Sequence, residues 1–452
     1  MSIPGQTKQL LAGFLLLLCS MAAAAQGLVI TPVNVVRINT GEILPRQAVL
    51  IKDRKIADII PASEIVDEHI TRIDGNDGYL IPGLTEMHAH VPGQRRGEQY
   101  TRDILVLFLA NGVTTVRGML GEDWHLYLRD RLEKQKWPGP RLITSGPSFN
   151  GNSVTSPEQA AEQVRQQKTA GYDFLKLHPG LKADEFAAIA QTAKELQIPI
   201  AGHVSYEVGL AAALTAQQAT IDHLDGYAQE MLPPSSKLQG VPPEFFGFNL
   251  APELDSSLAA ALARKTAAAG VWNVATQSLL ENIYGDQSIE SLLERPGMKY
   301  IGPSLRQSWV KSVNRARSEI TNDDRKKFIE ARRHLIYELQ QAGAGLLLGS
   351  DAPQIMNVPG FSTHEELGFL VASGLTPLQA LQTGTIRAAQ FFGFQDQGNI
   401  QAGMQADLVL LRDNPLENIQ ATADIQGVMR GGTWYPESQL AAMLAEVAKR
   451  GL

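Results

Sequence analysis

The chain has 452 residues, a formal net charge of −7, 44% hydrophobic and 19% charged residues. That mildly acidic globular profile leaves room for one large core and a smaller second one. It offers no basic run or aromatic-interleaved basic patch of the kind that binds nucleic acid. At the N-terminus, Lys8, the apolar run Leu10–Leu18 and Ala23-Ala24-Ala25 before Gln26 have the layout of a Sec-type signal peptide over residues 1–25. A membrane anchor is the competing reading, but the run is too short to span comfortably and ends in alanines. The expectation is a periplasmic or secreted protein without a stable membrane span. The one cysteine, Cys19, lies inside that segment behind Leu18, which argues against lipidation. A mature chain without thiols must hold any metal through His, carboxylate or modified Lys.

Residues 27–80 read as short β-segments, Leu28–Ile30, Val35–Ile38, Ala48–Ile51 and Lys55–Ile60, broken by turn residues such as Asn39-Thr40-Gly41. The same texture returns at Ala406–Leu411 and Ile425–Arg430. Residues 26–81 and 395–440 are therefore expected to form one small β-sandwich domain, with residues 82–394 inserted between them.

Within that insertion, strand-like and helical patterns alternate. The strand that ends in His88 is followed by apolar runs at 112–117, 141–145, 174–177, 198–203, 220–223, 271–276 and 345–351. Helical stretches such as 156–170, 183–196 and 324–342 lie between them. Eight such units predict a (β/α)8 TIM barrel. Two long connections, 224–270 and 277–344, would fall on its C-terminal face and shape or cover a pocket.

Polar residues gather at the ends of these strands. In Leu80–His90 an apolar run leads into His88 and His90, whose spacing puts both side chains on the same side of a strand. Lys176, His203, His223 and Asp351 stand at or near four other strand ends, all of which converge on one mouth in a barrel. Any one of these histidines alone is as readily a hydrogen-bonded core residue. Four of them at one level with an aspartate look like a metal site. For Lys176 an interior ion pair, with Asp351 as partner, is the alternative.

The motifs carry a resemblance. Pro82-Gly83-Leu84 leading into Met87-His88-Ala89-His90, Gly112–Arg117, Asp173–Lys176, Gly202-His203, Ile221-Asp222-His223, Gly349-Ser350-Asp351, His364–Leu367, Gly374–Pro377 and Gly403–Val409 resemble the amidohydrolase superfamily. The likeness is to its imidazolonepropionase-like and metal-dependent Xaa-Pro dipeptidase branch. It runs through essentially the whole mature chain and is specific for the superfamily rather than for a substrate. It implies two divalent ions, most often Zn2+. His88, His90 and Asp351 would hold the more buried one, His203 and His223 the other, and Lys176, N-carboxylated by CO2, would bridge them. A free ammonium with a pKa of ~10.4 repels cations, whereas its carbamate offers two oxygens. A water bridging both ions would attack a carbonyl, with Asp351 as general acid and base. Two departures stand out. Glu86 replaces the usual Asp and would support the site from behind the histidines, and Gly118 after Arg117 replaces another Asp and would alter the rim.

Tyr206, Tyr227 and Gln277 follow strand ends and are candidate substrate contacts, with packing the equal alternative; His178, two residues beyond Lys176, is a fourth, with a structural or solvent role the alternative at least as strong. Arg295, Lys299 and Arg306 in the long insertion could meet a substrate carboxylate, though scattered charges read more readily as a solvated face, and His69, His125 and His334 read as surface positions. Ser362–Glu366 reads as a helix start with a capping box that leaves His364 structural. The function implied is an exported hydrolase of C–N amide bonds, such as a dipeptidase, acting on a small-molecule or dipeptide substrate. Ester, lactone or phosphotriester hydrolysis on the same site is the alternative chemistry, and a non-catalytic relative the third. A homo-oligomer is compatible with all three.

Overall fold

The computed structural model describes residues 27–65 and 70–452. The expected signal peptide with Cys19, and His69, lie outside the described residues. Strands β1 (Leu28–Val36), β2 (Ile43–Lys52), β3 (Lys55–Pro61), β4 (Thr71–Asp74) and β5 (Tyr79–Pro82) open the chain. Then come β6 (Leu84–Ala89), β7 (Val113–Gly118), β8 (Arg141–Thr144), β9 (Leu175–Leu177), β10 (Ile200–Gly202), β11 (Thr220–Asp222), β12 (Trp272–Val274) and β13 (Gly345–Leu347). Three more, β14 (Leu408–Leu411), β15 (Ile425–Arg430) and β16 (Thr433–Pro436), follow near the C-terminus.

The two ends of the chain meet in one sheet. Its order is β16-β15-β14-β5-β1-β2-β3, with β4 beside β1. The seam is the antiparallel pairing of β14 with β5, Val409 opposite Ile81. The strands hydrogen-bond along one continuous path, because β1 pairs with β2 on one edge and with β4 and β5 on the other. Side-chain alternation explains why these strands read as unbroken apolar runs. Leu80, Leu408 and Leu410 enter a core of their own with Ile30, Val35 and Met429. Ile81, Val409 and Leu411 face the other way, into the large core with Ile104 and Val113.

Strands β6 to β13 are parallel and form the sheets β6-β7-β8 and β9-β10-β11-β12-β13. Ser145 bridges to Phe174, which sets β8 beside β9. On the other side the Met87 amide donates to the Leu348 carbonyl at 2.8 Å and the Asp351 amide to the His88 carbonyl at 2.9 Å. This is a TIM-barrel-like α/β arrangement. The expected helices are present. Pro157–Ala170 starts at a Ser156 cap and stops at Gly171, whose φ of 88° a side chain would resist. Ala183–Glu195 and Asn322–Gln341 complete them.

Several histidines and one helix start differ from the sequence reading. The helix Phe361–Ala372 begins at Gly360 without a side-chain cap. Glu366 instead accepts from the Gln277 and Ser278 amides and so caps the neighbouring helix Gln277–Tyr284, and Thr363 donates to Glu86. His125 is buried, bonded to the Glu122 amide and the Val91 carbonyl, because the helix Asp123–Glu133 folds back over the β6 end. His334 is exposed as expected.

His364 is buried between the Asn111 carbonyl and Thr422, both at 3.0 Å. A neutral ring donates from Nε2 to the carbonyl and accepts at Nδ1. Burial lowers its pKa from 6.5 to about 4. A histidine depressed in the fold contributes stability that is present above the unfolded value and lost as pH falls through the folded one. Wild type should therefore lose up to about 3 kcal/mol between pH 6.5 and 4 at this position. His364→Gln should show a flatter profile there, measured by denaturant unfolding at stepped pH.

Candidate metal centre

The alternation of β6 puts His88 and His90 on one side, His88 buried and His90 part-exposed. Lys176 in β9 is fully buried. His203, His223 and Asp351 follow the last residues of β10, β11 and β13. His223 and Asp351 have φ values of 62° and 65°, in the left-handed region that costs an ordinary residue about 1 kcal/mol or more. Main-chain bonds hold both there, from the His223 amide to Val274 and from the Asp351 amide to His88. Gly202 leaves room for the lysine. A Cβ at that position would lie 2.8 Å from Lys176 Cδ and 2.5 Å from the Leu177 carbonyl oxygen.

These side chains converge. Asp351 Oδ1 lies 2.7 Å from His90 Nε2 and 3.4 Å from His88 Nε2, and Oδ2 lies 3.9 Å from His223 Nδ1. The rings of His88 and His223 are 4.6 Å apart, and those of His203 and His223 4.5 Å. One ligand atom each from His88, His223 and Asp351 falls within 4.8 Å of the others, room for a cation.

The pattern of unsatisfied atoms tests that fit. His88 Nδ1 and Nε2, Lys176 Nζ, Asp222 Oδ2 and Asp351 Oδ1 are buried and, close as they lie to one another and to His90, make no hydrogen bond of good geometry. Such atoms cost about 1–3 kcal/mol each when left unmatched. His88 and His223 have pKa values held well below the usual range, by burial first and then by neighbouring cationic groups. Neutral imidazole is the ligating form. Burial likewise lowers Lys176 against the pull of Asp222 and Asp351. The nitrogen, imidazole and carboxylate donors present fit divalent ions of the zinc type.

Residues beneath the ligands fix their directions. Thr276 lies 2.8 Å from His223 Nδ1 and Asp225 2.7 Å from His203 Nδ1, leaving Nε2 of each ring free. Glu86 accepts from the amides of His88 and Ser350 and from the hydroxyls of Ser350 and Thr363. Burial raises its pKa to about 7 against those bonds. Asp222 was not singled out from sequence. Fully buried, it faces His88 Nδ1 at 3.0 Å and Lys176 Nζ at 3.7 Å, and accepts from Thr220 and Arg117. Lys176 thus has Asp222, not Asp351, as its ion-pair neighbour. Burial would raise the Asp222 carboxyl, but Arg117 and Lys176 outweigh it and hold it low. The signal was available in Thr220-x-Asp222, two polar residues on the inward face of one strand. Arg117 belongs to this interior layer too, donating to the Met87 carbonyl at 2.6 Å, and Gly118 is buried, so this pair does not form a rim.

Two of the four expected substrate contacts are misplaced. Tyr227 is buried with its hydroxyl bonded to Thr266 and Asn273, and Gln277 is buried between Glu281 and Arg332. Both sit on helix starts that turn away from the mouth. Tyr206 and His178 do line a cavity of about 510 Å³ with His90, His203, His223 and Asp351. The His178 ring stacks 5.0 Å from that of His203, and burial, with Lys176 next, lowers its pKa to about 2. Arg295 pairs with Glu365, and Lys299 lies over the Tyr300 ring. A second cavity of about 720 Å³ shares His90 and Gln354 with the first and is walled by Arg96, Tyr100 and Trp309. Both long connections thus reach the mouth, 224–270 through Phe245 and Phe246 and 277–344 through Leu305 and Trp309.

The chain is 27% identical over 177 residues to ochratoxinase of Aspergillus niger, covering 34% of this chain and 33% of that protein. It is 24% identical over 400 residues to adenine deaminase of Moorella thermoacetica, covering 84% and 53% respectively. The matches thus span between a third and about half the length of these curated relatives. Among solved structures, bottromycin amidohydrolase superposes with a TM-score of 0.74 at 23% identity, over 94% of this chain and 90% of that one. A putative prolidase from Bifidobacterium longum gives 0.67 at 21%, over 94% and 99%. These likenesses show a shared fold. A model of the amidohydrolase family matches residues 79–435, and the chain belongs to that family.

Proposed function

We propose that this protein is an exported, metal-dependent hydrolase of C–N amide bonds in small peptide-like substrates, with residues 82–394 as its catalytic domain. The observation that carries the reading is the convergence of His90, His203, His223 and Asp351 on the 510 Å³ cavity, with His88 and Lys176 buried behind them and donor atoms left unpaired. Prolidase and bottromycin amidohydrolase, by their names amide hydrolases, share the fold.

His88, His90 and Asp351 would hold one divalent ion, zinc foremost, and His203 and His223 a second. Bound ions would polarise the scissile carbonyl and acidify water. Burial lowers the pKa of Lys176, which favours the free-amine form that would add to CO2 with release of a proton, and the resulting carbamate would supply oxygen donors to the ions. Asp351, lining the cavity beside His90, takes the proton of the attacking water at a carboxylate oxygen and passes it to the leaving nitrogen. His178 and Tyr206 stand at the wall to orient the substrate.

Turnover of zinc- and bicarbonate-reconstituted protein on Xaa-Pro and other dipeptides, N-acyl amino acids, lactones and a phosphotriester tests this. Release of amines or amino acids supports it; cleavage of lactones or the phosphotriester alone, or silence in metal-loaded protein, defeats it. Asp351→Asn should cut turnover by several orders of magnitude while retaining most metal. Lys176→Ala should lose the paired site, seen as metal content per chain falling from two towards one or below. A divalent ion at a hundredfold excess over its Kd should add about 2.7 kcal/mol of stability, and a chelator should remove it.

A further inference from the structure

The wall of the 510 Å³ cavity carries its own chemistry. Phe246 lies over the metal-site histidines, its ring 4.9 Å from that of His223 and 6.4 Å from that of His203. Phe245 packs on it at 4.3 Å yet remains 47% exposed. Tyr206, 43% exposed, closes the same side and donates its hydroxyl to the Gly240 carbonyl at 2.8 Å. This bond ties β10's following loop to the connection that supplies both phenylalanines. Phe246 is held at φ 60°, a conformation an aromatic residue resists and keeps only where its surroundings enforce it. An apolar surface is therefore presented to the cavity with nothing among the described residues covering it.

Charge on this side is of one sign. Glu207 and Asp225 line the cavity along with Asp351, and no lysine or arginine does so among the described residues. The basic residue near the mouth, Arg96, belongs to the second cavity, where it lies 4.5 Å over the Tyr100 ring. A substrate carboxylate beside Phe245 would give up its hydration against aromatic rings, with Glu207 on the same wall and no lysine or arginine side chain to pair with. An uncharged ring there would bury apolar area and stack at no such cost.

We propose that the substrate presents a bulky, uncharged aromatic group to Phe245 and Phe246, and that a free carboxylate on that flank is excluded. This rests on the amide-hydrolase reading above and narrows its substrate class to amides blocked or neutral on the aromatic side.

The test uses a matched set of amides made in both orientations of the bond, one bearing a phenyl ring, one a 4-carboxyphenyl ring and one a methyl group. Their kcat/KM is measured with metal-loaded wild type, and their binding by thermal shift and titration with Asp351→Asn, which leaves them intact. In one orientation the phenyl member should bind and react roughly tenfold or more better than both others. Phe245→Ala, at an exposed position, should erode most of that advantage, and Phe245→Lys should improve the carboxyphenyl member several-fold. Equal or better binding of the carboxyphenyl member by wild type, or a preference unchanged in Phe245→Ala, would overturn the proposal. Aromatic-selective binding without turnover would defeat the amidase reading alone, and turnover without aromatic preference would defeat this inference alone.

Discussion

Everything at the mouth of the barrel depends on a layer of charge buried beneath it. Arg117, Asp222, Lys176 and Glu86 are shut off from water within the TIM-barrel-like arrangement of parallel strands. Desolvating such groups costs several kcal/mol each unless partners compensate. The lower half of the layer is compensated. Arg117 is spread over the Met87 carbonyl, Thr220 and Asp222, and Glu86 gathers four donors. The upper half is not, and its unpaired atoms are those of His88, Lys176, Asp351 and the Asp222 oxygen that faces them. A surface satisfied from below and unsatisfied above is what a cation site needs, because the ligands cannot turn away to other partners.

The same logic explains the strained backbone. His223 and Asp351 leave their strands in left-handed conformations, which swing the side chains across the mouth instead of along the strand. The strain is held by main-chain bonds to Val274 and His88, so the strand that carries the histidine pair also fixes the aspartate that meets it. Arg332, from the helix Asn322–Gln341, adds a clamp by donating to the carbonyls of His223 and Ala275. The geometry of the candidate ligands is thus set by main-chain bonds between neighbouring strands and by a helix that supplies no candidate ligand.

The small sheet and the barrel are coupled by alternation along shared strands. β5 and β14 send neighbouring residues to two different cores, so neither core can repack without disturbing the other. His364 is a second tie, joining the end of the helix Glu98–Ala110 to the 3-10 turn Ile419–Ala423 across the two halves of the chain. The connections on the opposite face are freer, and there the aromatic wall is placed.

The sequence alone determined the units and the cluster of candidate ligands. His-x-His at the end of an apolar run, and single polar residues closing later strands, are local patterns whose meaning follows from strand alternation and a common mouth. Composition and period likewise marked the three helices and the return of β-texture near the C-terminus. What only the tertiary structure decided is which distant segment covers each face. Asp222, Arg117 and Arg332 are ordinary charged residues until a neighbouring strand or helix buries them. Tyr227, Gln277 and His125 stand at sequence positions open to solvent or substrate, yet a helix turn or a folded-back loop takes each inward. Glu366 has the spacing of a cap for its own helix, but the helix beside it offered better-placed amides. Periodicity fixes the direction a side chain leaves its own strand or helix; the partner it meets depends on contacts hundreds of residues apart, and no local pattern carries that.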